Sequence, residues 1–159
     1  MEKGFQRQVT PEQMEKIKAQ VIRLSKSEEA RQQTMHLIQE ILEATNSTIM
    51  VDANDIRECL NDEGILTTFD VRVCATNTKR MKELVEQVES KIANIAPIKS
   101  LLFHLSYPEE QPLQMSELQP LSDWLSSIPY NSDLIVKWGL SATMQSSEPQ
   151  LRVIMLVVT

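Results

Sequence analysis

Residues 47–60 read STIMVDANDIRECL. An apolar triplet, Ile49-Met50-Val51, runs straight into Asp52, and Asp55 follows three residues later. A short helix with apolar periodicity is expected after them, from about 53 to 61. An aspartate at the N-cap and a second in the first turn satisfy free backbone N–H groups and complement the helix dipole. The i, i+3 spacing also sets both carboxylates on one side of that turn. Whether the pair only caps a helix or also faces a reaction depends on the segments around it.

Upstream, Thr10, Pro11 and Gln13 form the signature of a helix start, an N-cap with a capping box and a proline at the first position. Met14, Ile17, Val21 and Leu24 then recur at helical spacing. Ser25 and Glu28 suggest a second capping box, and Met35, Ile38, Leu42 with Leu37 and Ile41 share one broad face. The pattern predicts a long helix broken near residues 25–27, or a helix pair, ending at ATNST (44–48), where Asn, Ser and Thr compete for backbone bonds.

Downstream, NDEG (61–64) stops the short helix, with Gly64 as a left-handed cap. The period then changes to two: Ile65, Thr67, Phe69, Val71 and Val73 alternate with Leu66, Thr68, Asp70 and Arg72, as in a half-buried strand. A helix over 77–94 ends before Pro97. A compact apolar strand covers 99–107. A helix opened by Ser116 and Gln119 carries Leu118, Leu121, Leu125 and Ile128, and a third strand covers 133–143. MQSSEP (144–149) turns the chain, and LRVIMLVVT (151–159) has the continuous apolar character of a strand covered on both faces. The expected class is α/β: a mixed four-stranded sheet with packed helices, preceded by the helix or helix pair. Helical spacers allow parallel pairing through right-handed crossovers, and the last two strands are expected to form an antiparallel hairpin. The natural division is an N-terminal helical segment, 1–45, and an α/β domain, 46–159.

Composition narrows the function. A chain of 159 residues is long enough for one domain with a real core. Its net charge of −6 argues against general nucleic-acid binding. No apolar run reaches spanning length, so no membrane helix is expected. MEKGFQRQVT lacks the apolar core of a secretory signal, and Cys59 and Cys74 fall inside predicted elements as buried thiols, which together suggest a cytoplasmic protein. With only three glycines, Gly4, Gly64 and Gly139, no clustered phosphate-cradling loop is present. His36 and His104 have no partners at metal-ligand spacing, so no metal site is expected. Ser106 and Ser116 lack a nucleophile elbow. Lys79-Arg80-Lys82 reads as a solvated face, and Trp124 and Trp138 as core or interface anchors. No nucleophile–base set points to an independent enzyme.

Taken in order, these segments resemble the C-terminal half of the FtsZ/tubulin superfamily, from about Gln33 to Thr159. LIQEILEATNSTIMVDANDIRECLND (37–62) looks like the end of the FtsZ central helix, its Asn-x-Asp-x-x-Asp loop and the helix that follows. SLLFHLSYPEEQPLQMSELQPLSDWL (100–125) is similar to the strand, loop and helix of the second domain. DLIVKWGLSAT and QLRVIMLVVT are similar to its closing strands, with Leu151-Arg152-Val153 at the family's Leu-Arg-Val triplet. The departures are specific. Met50 stands where the family has asparagine, most second-domain glycines are replaced, and no nucleotide-binding domain is present.

The resemblance implies a role in bacterial cell division and septum filament assembly through protein–protein contact. In the family this loop projects into the nucleotide site of the next subunit, so Asp52 and Asp55 would be catalytic only in trans. They would help position the water that attacks a γ-phosphate. GTP would then belong to a partner or parent protein, and no cofactor to this chain. The implied partners are FtsZ or FtsZ-like subunits, or further copies of the chain, with no nucleic acid and no membrane. Two other readings stay open: a fragment of a full FtsZ GTPase, and a small-molecule-binding or self-associating regulatory α/β module.

Overall fold

The structure is a computed structural model and describes residues 9–95, 97–128, 130–144 and 147–159. Helix α1 spans Pro11–Leu24 and α2 Glu28–Leu42. Strand β1, Asn46–Ile49, leads into α3, Ala53–Cys59, then β2, Leu66–Cys74, and α4, Arg80–Ile92. Strand β3, Ile98–Pro108, is followed by a 3-10 turn at Met115–Leu118, α5 at Gln119–Ser127, β4 at Tyr130–Thr143 and β5 at Gln150–Val158.

The expected break between the first two helices is real. Thr10 and Gln13 form the predicted capping box, whereas Ser27 rather than Ser25 caps α2, its hydroxyl accepting from the Ala30 N–H. In the same way the box before α5 is Gln114 with Glu117, not Ser116 with Gln119. Gly64 has a positive φ of 151°, but the C-cap of α3 is Leu60, so Gly64 serves the turn into β2 instead.

The sheet differs from the sequence expectation in two ways. Among the described residues it has five strands, in the order β1-β4-β3-β5-β2. The added strand, β1, lies in the segment read as a helix stop. It pairs antiparallel with Leu140–Ala142 of β4, so tertiary pairing overrides a composition that favours turns. The last two strands also form no hairpin. β5 inserts between β3 and β2, antiparallel to both, and β3 runs parallel to β4. This placement gives β5 a hydrogen-bonded neighbour on each side and buries both of its faces, as its apolar run requires. The turn expected at 144–149 lies partly outside the described residues.

Each face of the sheet carries its own core. Leu151, Val153, Met155 and Val157 of β5 pack with Val85, Val88, Trp124 and Ile128 beneath α4 and α5. Ile154, Leu156 and Val158 pack with Ile17, Val21, Ile38, Ile41 and Ile56 beneath α1, α2 and α3. Each such fully buried Leu or Ile contributes about 2 kcal/mol from removed apolar surface. The helices thus form two outer layers, and the loop at Asp52 belongs to the α1–α3 side.

Two single-residue readings also change. Arg80 is not solvated: it is 5% exposed, its guanidinium is paired with both Glu117 oxygens, and it donates to the carbonyls of Ala75, Gln111 and Pro112. A charged side chain tolerates such burial only when its donors are matched. Cys59 is buried, but Cys74, near the end of an edge strand, is exposed, and both are free thiols.

Candidate functional site

Within the segment quoted at the outset, residues 50–52 form a surface loop between β1 and α3. Its entry is fixed by β1, where the Ser47 and Ser141 hydroxyls lie 3.1 Å apart. Met50 is 48% exposed, whereas Val51 beside it is buried. Val51 packs on Gly139, where an added Cβ would come within 2.6 Å of Val51 Cγ2 and 2.9 Å of His104 Cδ2. That close approach anchors the loop on the sheet.

Asp52 and Asp55 come together as the spacing predicts. The Asp55 N–H donates to Asp52 Oδ1 at 2.9 Å, and the Asp52 N–H donates to Asp55 Oδ2 at 3.0 Å. The reciprocal bonds form a complete capping box at the head of α3. Lys137 of β4 adds a contact that the sequence did not suggest. Its Nζ lies 3.7 Å from Asp55 Oδ1 and 2.9 Å from Glu58 Oε2. The hydrogen bond that Lys137 donates to Glu58, with the charges of Glu58 and Asp55, raises the Lys137 pKa above its ordinary value. A cation on a neighbouring strand thus holds the acidic turn to the sheet.

A second polar region lies on the same face. His104 of β3 is 6% exposed, and its Nε2 is 2.8 Å from Ser141 Oγ. Burial, with a smaller effect from Arg152, lowers its pKa to about 4, so the imidazole is neutral near pH 7. A hollow of about 300 Å³ between the end of α2 and the sheet is bordered by Glu40, His104, Ser106, Ser141 and Arg152. The sequence reading named His104, Ser106 and Arg152 singly and did not bring them together as a region. The alternation in KSLLFHLSY was the available signal, since it sets Ser100, His104 and Ser106 on one face of β3. Among the described residues no three His, Cys, Asp or Glu side chains group as a metal site. No described helix is long and apolar enough to cross a membrane.

No family model matches the chain, and no curated protein matches it. Solved structures do match. An FtsZ dimer from M. jannaschii aligns with a TM-score of 0.57 and 19% identity, over 82% of this chain and 38% of that one. GDP-form TubZ protofilaments from Bacillus thuringiensis serovar israelensis align with a TM-score of 0.60 and 10% identity, over 81% of this chain and 36% of that one. The fold is that of an FtsZ/tubulin C-terminal domain. The GTPγS-form TubZ protofilament extends the match to 92% of this chain, at 12% identity and a TM-score of 0.58. The chain spans less than two fifths of the length of these three structures.

Proposed function

We propose that this chain acts in the cytoplasm by protein contact within an FtsZ- or TubZ-like filament system of the kind used in bacterial cell division. It would present the loop 49–55 to the nucleotide face of a neighbouring subunit. The observation that carries this reading is the place of the loop: between α2 and α3, at the surface, with both carboxylates at the head of α3, in a fold shared with FtsZ and TubZ. The matched structures are described as a dimer, as protofilaments and as filaments, which supports assembly with like subunits.

The geometry supports contact more directly than catalysis. The capping box fixes the backbone of Asp52 and Asp55, so the pair is presented without an ordering cost. One oxygen of Asp55 is bonded to the Asp52 N–H and the other faces Lys137. Met50 offers a neighbouring subunit an apolar side chain where the family has an amide. When a partner holds GTP, the nucleotide supplies the bond to be broken. Asp52 and Asp55 would then help to orient water beside it, and Lys137 would moderate their charge. The short span relative to the matched structures favours joint action with a nucleotide-binding half, on the same polypeptide or another.

The test is titration into FtsZ polymerising with GTP, followed by light scattering and phosphate release. Binding, shorter filaments and altered turnover are expected. Asp52→Ala/Asp55→Ala should lose the effect on turnover. No binding and no change in either signal would remove the proposal.

A further inference from the structure

The sheet face opposite the loop carries an open groove along the seam of α4 and α5. Two adjoining hollows, of about 340 Å³ and 310 Å³, share Glu89, Trp124 and Ser127. Val85 and Ile92 of α4, the buried indole of Trp124 and Ile128 just beyond α5 give the groove an apolar floor. Residues 82–95 run along it for roughly 20 Å, about the length of three to four helical turns.

The rim is acidic. Glu86 and Glu89 stand at i, i+3 on α4, opposite Asp123 of α5, with Lys82 the one cation among the lining residues. Among the described residues the carboxylates of Glu86 and Glu89 have no hydrogen bond or ion pair, and that of Asp123 accepts only from Gln119 Nε2 of its own helix, at 2.8 Å. The acids on the other face are held differently: Asp55 and Glu58 by Lys137, Glu40 and Asp70 by Arg152. Like charges at i, i+3 repel unless a cation comes between them.

We infer that this groove docks a basic amphipathic helix of a partner protein. Its apolar side chains would lie on Trp124, and its Lys or Arg side chains between Glu86, Glu89 and Asp123. Helix-in-groove recognition uses apolar anchors spaced at i, i+3 or i+4, and i+7, which suits a floor of this length. The acidic rim repels nucleic-acid phosphates and anionic lipid, and the net charge of −6 steers cations toward the chain.

Trp124 supplies the readout. The chain has two tryptophans, so in a Trp138→Phe background Trp124 is the only indole. The probe is a Leu/Lys peptide of about 18 residues, amphipathic when helical, with a Leu/Glu peptide as control. The Leu/Lys peptide should change the intensity or wavelength of Trp124 emission saturably, and the Leu/Glu peptide should not. Glu86→Lys/Glu89→Lys should weaken binding about tenfold or more, as charge complementarity requires. Glu86→Gln/Glu89→Gln should weaken it less and provides the comparison if the reversed variant fails to fold by circular dichroism. Glu12→Lys/Glu15→Lys on α1, with the same change in net charge, should leave affinity within about twofold. No saturable change, or equal weakening by the α1 pair, would overturn the inference. So would emission that changes with protein concentration alone, because a second copy would then fill the groove.

Discussion

Arg152 on β5 and Glu40 on α2 meet fork to fork, with Nη1 to Oε1 at 2.9 Å and Nη2 to Oε2 at 3.1 Å. The same guanidinium holds both oxygens of Asp70 on β2, each at 2.8 Å. One arginine therefore ties a helix to two neighbouring strands. The hydrogen bond from Arg152 lowers the Glu40 pKa. At Asp70 burial pushes upward, but the bonds from Arg152 and Arg72 prevail and the pKa is also lowered. Folded pKa values below the unfolded ones add stability above the ordinary carboxylate range, and that stability is lost as pH falls through the folded values. Arg152→Met should cost about 2 kcal/mol in urea unfolding at pH 7, since Glu40 loses its guanidinium and Asp70 keeps only Arg72. The variant should also show a shallower acid-induced loss of stability.

His104 gives a separate acid dependence. Its ordinary value of 6.5 falls to about 4 in the folded chain. Between those values the unfolded chain binds a proton and the folded chain does not, so stability falls as pH falls from 6.5 to 4. The total is about 3 kcal/mol. In His104→Gln, unfolding free energies at pH 7 and pH 4.5 should differ less than in the parent chain. The imidazole resonances of His104 should show no titration above pH 5.5.

The capping box makes Asp52 separable into a backbone role and a charge role. Asp52→Ala should cost about 1 kcal/mol, because the Asp55 N–H loses its acceptor. Asp52→Asn keeps an acceptor oxygen and should unfold within a few tenths of a kcal/mol of the parent. Any effect of Asp52→Asn on a partner's GTP turnover would then report charge rather than folding. Unfolding of the Ala variant within a few tenths of a kcal/mol of the parent would show that the cap contributes nothing.

Gly64 should tolerate no side chain. Its φ of 151° is strained for L residues, and an added Cβ would lie 2.4 Å from the Thr159 carbonyl oxygen. That oxygen accepts from the Ile65 N–H at 3.1 Å, a pairing that extends the ladder ahead of the first residue of β2 and past the last of β5. Gly64→Ala should cost more than about 2 kcal/mol in denaturant unfolding, through backbone strain and displacement of Thr159 together.

The elements themselves were largely legible. Ile17, Val21 and Leu24 repeat every three or four residues because one side of α1 faces the core, and that period survives in the sequence. The continuous apolar run of β5 correctly signalled a strand covered twice. Strand order was not legible, because alternation reports which faces are buried and not which edges meet. Proximity along the chain suggested a β4–β5 hairpin, and β3 lies between them. Arg80 was misread for a related reason. A basic residue between Lys79 and Lys82 looks solvated until the acceptors at Ala75, Gln111, Pro112 and Glu117 are brought to it by the fold. At the candidate site the spacing of Asp52 and Asp55 foretold their capping box, but Lys137 lies 82 residues beyond Asp55 and only the sheet brings it near.

The insertion of β5 between β3 and β2 also bears on the order of assembly. Emerging from a ribosome, β2 and β3 are complete long before residues 150–158, the strand that joins them. Until then β2 has no partner in the sheet, and the apolar faces beneath α2 and α4 lack the strand between β3 and β2. Pairing Leu66 with Val158 closes a loop of about 90 residues, a slow step because chain entropy is lost before the contact is made. The interval before that closure is when the chain is most exposed to aggregation and to chaperones.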